Sequence, residues 1–217
     1  MADRLGYGFR FAQEDFIARP SGALWWPRRQ MLVVADLHLG RSARYVRRGG
    51  ALLPPYETAD TLARLSKEIS ALDPRTVVSL RDGFDDPLAA AEMRADHRAQ
   101  LALCAKGREW IWIFGNHDPG PIDSALPGLH LPEIAGLPAL RHEAASGPDI
   151  SGHLHPSTRL AGKRWRCFVK GEDHLILPAF GTYTGGLDIA APPLADLAAG
   201  GIAILCAATP FARPLQS

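Results

Sequence analysis

The sequence predicts an α/β fold in which two mixed β-sheets stack face to face with helices on the outside. Two observations lead to this prediction. In the first half, apolar segments alternate with helical patterns, an order typical of parallel strands joined by right-handed crossovers. In the second half, Gly and Pro are frequent and short β-prone segments follow one another. With 217 residues, of which 47% are apolar, the chain is long enough to form a single domain over residues 1–217.

The first half is expected to begin with four short strands. Strands are predicted at residues 9–12, 15–19 and 23–26, with a turn at residues 20–22 formed by Pro, Ser and Gly. Residues 31–35 form an uninterrupted apolar run, which is typical of a strand that is covered on both faces.

Two helices and further strands are predicted next. Apolar residues within 56–72 recur at helical spacing, so an amphipathic helix is expected there. Residues 88–105 are rich in Ala and contain no Gly or Pro, so they are predicted to form one helix. These helices alternate with strands predicted at residues 76–80 and 110–114. Later strands are expected at residues 139–142, 149–152, 164–169, 174–177 and 202–206.

The composition excludes several classes of protein. The formal net charge is +1, so binding to nucleic acid or to an anionic membrane would need a local patch. The three cysteines are widely spaced, which argues against a disulfide framework and a cysteine-rich zinc site. No secretory signal is recognisable, and no segment approaches the roughly 20 apolar residues that span a bilayer. A cytoplasmic protein without a membrane partner is therefore expected.

Polar side chains follow the predicted strands at their carboxyl ends, the edge at which α/β sheets bind ligands. Asp36 and His38 come directly after residues 31–35, and an extended backbone would turn both to the same side. The strand at 76–80 ends in Arg81 and three carboxylates within the stretch SLRDGFDD. The later motifs are Gly115-Asn116-His117-Asp118, the lone His142, and Gly152-His153-Leu154-His155.

Each motif by itself also fits a solvated or capped turn. Taken together, they supply seven oxygen and nitrogen ligands, too many for one tetrahedral zinc ion but suitable for two ions that share a carboxylate. Asp82 is positioned to be the shared carboxylate. The predicted metal ligands are Asp36, His38, Asp82, Asn116, His142, His153 and His155.

The segments ADLHLG, LRDGFDD, FGNHDPG, RHEAA and SGHLHP, in this order, resemble the calcineurin-like metallophosphoesterases. The stretches at residues 40–65 and 177–189 are also similar to a narrower bacterial group, the PdeM-type phosphoesterases associated with a DNA ligase and a repair helicase. The resemblance covers residues 14–206 and implies a four-layer αββα sandwich. It further implies a DNA endonuclease or phosphoesterase linked to DNA repair, with the ligase or helicase as partners.

The resemblance also implies the roles of the site residues. One cation would take Asp36, His38, Asp82 and His155, and a second would take Asp82, Asn116, His142 and His153. A hydroxide that bridges the two cations would attack phosphorus. His117 would then donate to the phosphate or to the leaving oxygen, and Asp85 would orient its ring. Manganese is the expected metal, with Fe or Zn²⁺ as alternatives.

Two residues depart from the family pattern. Arg81 stands where the family has Gly, so it is expected to displace Asp82 or to crowd the cavity; the alternative is that its stem points away and its guanidinium binds a substrate phosphate. Asp85 stands where the narrower group usually has His, which keeps an acceptor for His117 but adds a negative charge near the phosphate.

The segment after Asp36-Leu37-His38 is predicted to be an arginine-rich loop that contacts phosphate groups through Arg41, Arg44, Arg47 and Arg48. Pairing of these arginines with scattered acids is the alternative. Three functions therefore remain open: a DNA-cleaving phosphodiesterase, a small-molecule phosphodiesterase or phosphatase with the same metals, and a binding partner whose site Arg81 has weakened.

Overall fold

The computed structural model describes residues 5–50, 54–115, 126–145 and 147–215. It confirms the predicted fold class, because two mixed sheets of seven strands each stack with helices outside. The first sheet contains β1 (Tyr7–Phe11), β2 (Glu14–Ala18), β3 (Leu24–Trp26), β4 (Met31–Ala35), β5 (Thr76–Leu80), β6 (Glu109–Ile113) and β7 (Leu129–Leu131). These strands lie in sequence order. The first four pair antiparallel, and β4 to β7 pair parallel.

The second sheet is built from the Gly- and Pro-rich half of the chain. Its strands are β8 (Ala139–Arg141), β9 (Asp149–Ser151), β10 (Ser157–Leu160), β11 (Lys163–Lys170), β12 (His174–Ile176), β13 (Ile202–Leu205) and β14 (Phe211–Pro214). The order is β14-β13-β11-β12-β9-β8, and β10 pairs with β11. Only the β8–β9 and β9–β12 pairs are parallel among these strands. Strands β7, β10 and β14 were not predicted from the sequence; β7 and β14 border the sheets at their edges.

Five α-helices lie in the described ranges: α1 (Arg41–Arg47), α2 (Glu57–Leu72), α3 (Pro87–Ala91), α4 (Ala95–Ala105) and α5 (Leu194–Leu197). The amphipathic helix is present as α2. The prediction of one helix over 88–105 is wrong, because Arg94 is extended and separates α3 from α4. Arg98 of α4 donates to the carbonyl of Ala90 near the end of α3, so this carbonyl has a hydrogen-bond partner although the helix is interrupted. No helix in the described ranges is long and apolar enough to cross a membrane.

The predicted arginine-rich loop is also wrong, because residues 41–47 form α1. Gly40 precedes the helix in the left-handed conformation, and Glu57 of α2 accepts from the Ser42 backbone N–H in the first turn. A carboxylate in this position satisfies a helix donor that would otherwise have no partner. That carboxylate comes from a different helix, so the local sequence of residues 41–47 does not reveal it.

The core has three apolar layers that follow the strand periodicity. In β4, Leu32 and Val34 pack under the helices, whereas Val33 and Ala35 face the second sheet. Cys167 and Leu194 belong to a third cluster, which covers the outer face of the second sheet under α5. Every residue of β4 is buried, as expected for a strand covered on both faces. This packing holds the carboxyl ends of β4, β5 and β6 at one edge.

Candidate functional site

The candidate site begins immediately after β4, where Asp36 and His38 are both buried. Both residues have positive φ, at 53° and 47°, so the segment is not extended. The prediction that an extended backbone turns Asp36 and His38 to the same side is therefore wrong. The two side chains converge for a different reason, since the chain turns sharply and is held by the bond from the His38 N–H to the Asp82 carbonyl, at 2.9 Å.

His155 joins this pair from the second sheet. Its Nε2 lies 3.3 Å from Oδ1 of Asp36, and its ring meets the His38 ring edge-on with centroids 5.4 Å apart. One ligand atom from each of the three side chains lies within 4.8 Å of the others. Residues more than 100 positions apart in sequence therefore form one cluster of side chains that could hold a cation.

Two glycines allow the carboxylates to approach the neighbouring backbone. A Cβ at Gly152 would overlap Oδ2 of Asp36, and a Cβ at Gly115 would overlap both Oδ1 and the backbone N of Asp82. Gly115 has no positive φ, so the close approach of Asp82, and not a left-handed backbone, is what requires glycine there.

The surroundings of Asp36 favour its ionised carboxylate form. Burial by itself would raise its pKa, but contact with His155, the charge of His38 and the His153 backbone N–H bring the pKa below its ordinary value. The His153 N–H donates to Oδ2 at 3.1 Å. A buried carboxylate that stays ionised and faces two imidazoles is a suitable ligand for a divalent cation.

Arg81 lies between the carboxylates instead of at the surface. It is 3% exposed, and its Nε donates to Oδ2 of Asp82 at 3.0 Å and lies 3.7 Å from Oδ1 of Asp36. This position agrees with the expectation that Arg81 crowds the cavity. A contact with substrate phosphate would need the guanidinium to move, because the side chain is buried.

The remaining predicted histidines are farther from the cluster and more exposed. His142 Nε2 lies 3.4 Å from Glu143, and His153 Nε2 lies 4.0 Å from the other oxygen of the same carboxylate. Burial and the positive charge of Arg81 lower the pKa of His153, which favours the neutral, ligand-competent ring. The predicted ligand Asn116 and the predicted catalytic residue His117 lie outside the described residues.

Asp85 is fully buried and connects three basic side chains. Its Oδ1 lies 2.8 Å from Nδ1 of His38 and 3.0 Å from Arg41, and its Oδ2 lies 2.9 Å from Arg44. Burial opposes ionisation, but His38 and the two arginines lower the pKa of Asp85 to about 2. The predicted contact of Asp85 with His117 falls outside the described residues, whereas the contact with His38 is a role that the sequence did not suggest.

The other two predicted phosphate contacts lie at the end of α1, where Arg47 is the last residue of the helix and Arg48 follows it. Arg47 donates to Asp86 at 2.8 Å and to Glu92 at 2.7 Å, and Arg48 is exposed. Arg41, Arg44 and Arg47 therefore have carboxylate partners, as the alternative interpretation of this segment expected.

Strained backbone is concentrated at the site. Six predicted site residues that are not glycine have positive φ: Asp36, His38, Arg81, Asp82, His153 and His155. Each such residue costs on the order of 1–3 kcal/mol and persists only where the surrounding structure holds it. This concentration is an independent sign that the edge is a functional site.

The described side chains fit one cation but not a second. A carboxylate and two imidazoles from Asp36, His38 and His155 are a mixed O/N set that suits Mn²⁺, Fe or Zn²⁺. No other group of three such side chains converges within the described ranges. At the predicted second position, Asp82 is bonded to Arg81 and His142 faces Glu143.

The segment that follows β12 completes one wall of the site. Ala179 forms an isolated bridge with Ala35, and the Gly181 N–H donates to the Asp36 carbonyl at 3.1 Å. Next to it lie Arg164 and Arg166 of β11, which line a cavity together with His155. The sequence does not distinguish these arginines, because alternation on β11 shows only that Arg164 and Arg166 share a face.

No protein-family model matches the sequence, and no curated protein matches it either. The structure is similar to the crystal structure of the Pseudomonas putida nuclease MPE, with 28% sequence identity and a TM-score of 0.75. The match covers 95% of this chain and 100% of the nuclease chain. Nearly the whole chain therefore has a fold similar to that of this nuclease.

Proposed function

We propose that this protein is a metal-dependent phosphoesterase that hydrolyses phosphodiester bonds of nucleic acid, with DNA as the expected substrate. The observation that carries the proposal is the convergence of Asp36, His38 and His155 on one point at the strand ends. The likeness to a nuclease over almost the full chain supports a nucleic acid as the substrate.

The three ligands have distinct tasks in this proposal. A bound divalent cation would lower the pKa of a water molecule and offset the negative charge of the phosphate. Asp36 supplies the anionic ligand, and Asp85 holds Nδ1 of His38, so that the Nε2 lone pair is left for the cation. Arg41 and Arg44 fix Asp85 in turn. His117 remains the expected proton donor to the leaving oxygen, a role that comes from the family resemblance.

The finer expectations stay predictions. Manganese is still the expected metal, and a second cation would share Asp82 with the first and bind Asn116, His142 and His153. The buried Arg81 opposes this second cation, because its guanidinium already lies beside Asp82. A role in DNA repair with a ligase or helicase partner is also a prediction of the resemblance.

Metal content and strand cleavage test the proposal together. Protein stripped with a chelator and reloaded with Mn²⁺ is expected to retain at least one cation per chain by elemental analysis and to cleave single-stranded DNA. Asp36→Asn and His155→Ala are expected to lose both properties, whereas His97→Ala, a histidine on α4, serves as the matched control and is expected to retain both. Cleavage that is equally fast in EDTA would refute the proposal.

The position of Arg81 supports a second candidate, a binding partner with little or no activity. This candidate expects fewer than two cations per chain, no turnover of DNA or of bis-p-nitrophenyl phosphate, and a higher cation count in Arg81→Gly. Turnover of bis-p-nitrophenyl phosphate without any cleavage of DNA would instead favour the small-molecule phosphodiesterase. The same preparations therefore separate all three functions.

A further inference from the structure

A second polar cavity adjoins the candidate metal site on the side of the second sheet. It has a volume of about 150 Å³ and is lined by His155, Arg164, Arg166, Thr184 and the Gly185-Gly186 segment. The Leu187 N–H donates to the His155 carbonyl at 3.1 Å, which holds this segment against the histidine. The cavity and the cation pocket therefore share His155 as a common wall.

The two arginines of this cavity bond to neutral groups within the described ranges. Arg164 donates to the Ser157 hydroxyl at 2.9 Å and to the Gly186 carbonyl. Arg166 donates to carbonyls, to that of Ala179 at 3.0 Å and those of Phe180 and Ser21 at 3.3 and 3.4 Å. A carbonyl partner orients a guanidinium but leaves its positive charge uncompensated.

A third guanidinium adds to the positive potential. Arg64 of α2 donates to the Phe180 carbonyl and to Thr182, and burial together with the charge of Arg166 lowers its pKa. Its partner Asp60 lies 3.5 Å away and is half exposed, so this pair is partly screened by water. Arg64 and Arg166 both contact the Phe180 carbonyl, and two positive groups on one carbonyl favour a bound anion nearby.

The size of the cavity limits the ligand. A volume of about 150 Å³ corresponds to roughly five water molecules at ~30 Å³ each, which is room for one phosphate group with some of its water. Thr184 also lines the cavity, but its hydroxyl donates to the Gly181 carbonyl at 2.7 Å, so the arginines are the donors that a phosphate would meet there.

We propose that Arg164 and Arg166 form a subsite for the phosphate group that neighbours the scissile phosphodiester along a nucleic-acid strand. The inference rests on the proposed function, since it places the scissile phosphate at Asp36, His38 and His155. Guanidinium groups bind phosphate through paired N–H donors, and such contacts position a strand without reading its sequence.

Strand binding under conditions without cleavage tests the subsite. We would measure the dissociation constant of a short single-stranded oligonucleotide with Ca²⁺ in place of Mn²⁺ over a range of KCl concentrations. Arg164→Ala is expected to weaken binding about fivefold to tenfold and to reduce the slope of log K against log salt by about 0.7, the value for one phosphate contact. Arg164→Lys keeps the charge and is expected to keep most of the slope.

Arg10→Ala is the matched control, because it removes one exposed arginine from β1, at the edge of the first sheet and three strands away from β4. It is expected to bind like the wild type. Thermal melts of each variant would show that the fold is retained. Arg166 is left unchanged, since its loss would remove bonds to three carbonyls.

The outcomes separate the subsite from the proposed function. If the wild type cleaves DNA, and the slope of log K against log salt is the same for Arg164→Ala as for Arg10→Ala, the proposed subsite is refuted and the proposed function stands. If the wild type neither binds nor cleaves strands, both are wrong. If inorganic phosphate at millimolar concentration competes with the strand equally well in the wild type and in Arg164→Ala, the cavity does not bind the strand phosphate.

Discussion

Two groups of arginines flank the candidate site, and they differ in their partners. On α1, Arg41 and Arg44 both bond to the buried Asp85, and Arg47 bonds to Asp86 and Glu92. On β11, Arg164 and Arg166 bond to carbonyls and a hydroxyl instead. The first group attracts attention in the sequence because four arginines stand close together, whereas the second group is inconspicuous.

The comparison shows that the number of arginines in a segment does not measure the charge available to a ligand. A carboxylate partner neutralises the guanidinium and fixes it in place, so the α1 arginines support the position of Asp85 and His38. A carbonyl partner fixes the group without neutralising it. We therefore expect the α1 side to contribute mainly stability and the β11 side to contribute mainly binding.

The largest expected effect follows from removing Asp85. Asp85→Ala leaves Arg41 and Arg44 without their common partner in a largely buried region, so the free energy of unfolding is expected to fall by about 3 kcal/mol. Urea denaturation measures this change. Asp86→Ala is the control: Asp86 caps α3 through the Ala89 N–H, and its loss is expected to cost about 1 kcal/mol. Equal costs for the two variants would contradict the assignment of Asp85 as the buried anchor.

A substitution at Gly115 tests how closely Asp82 packs against this glycine on the carboxylate side of the site. Gly115→Ala places a Cβ against Asp82, so we expect a loss of about 2 kcal/mol from overpacking. On the arginine side, Gly185 has no heavy atom within 4 Å of an added Cβ, and Gly185→Ala is expected to change stability by less than about 0.5 kcal/mol. Similar losses of unfolding free energy in denaturant titrations of the two variants would show that the carboxylate side and the arginine side are packed equally tightly.

The two groups of arginines are also expected to differ in their contribution to stability. Arg44→Ala removes one bond to Asp85 while Arg41 and His38 remain, so a loss of about 1 kcal/mol and a fall in Tm of about 2–4 °C are expected. Arg164→Ala is expected to shift the Tm less, because Arg164 is exposed. A larger shift for Arg164→Ala in thermal melts would reverse the comparison.

The smallest expected effect is a gain of binding. Glu92→Gln removes one of the two carboxylates that hold Arg47, an exposed pair worth about 0.5 kcal/mol, so affinity for single-stranded DNA at low salt is expected to rise about twofold. Asp96→Asn is the matched control, because it also removes one exposed acid, which is paired with Arg94. If both variants gain equally, the increase reflects net charge and not the release of Arg47.

Several features of the candidate site were predictable from the sequence, and several were not. Polar residues after the apolar strand β4 predicted that Asp36 and His38 lie at a sheet edge that can bind a ligand. The approach of His155 to this pair depends on how the two sheets stack, since His155 follows β9 of the second sheet. The left-handed backbone at Asp36 and His38 was not predictable, since these residues adopt it only where tertiary contacts enforce it. The bond from Arg81 to Asp82 was unpredictable for a related reason, because Arg81 and Asp82 also have a left-handed backbone that only tertiary contacts enforce.

What the sequence by itself determined is the layered α/β architecture and the edge at which the polar residues gather. Apolar periodicity sets both, and periodicity is a local property that can be read along the chain. Only the tertiary structure decided that residues 41–47 are helical, that Asp85 holds His38, Arg41 and Arg44, and that the β11 arginines have neutral partners. Each of these depends on which side chains from distant segments meet in the low-dielectric interior, where an ionised group must find a partner.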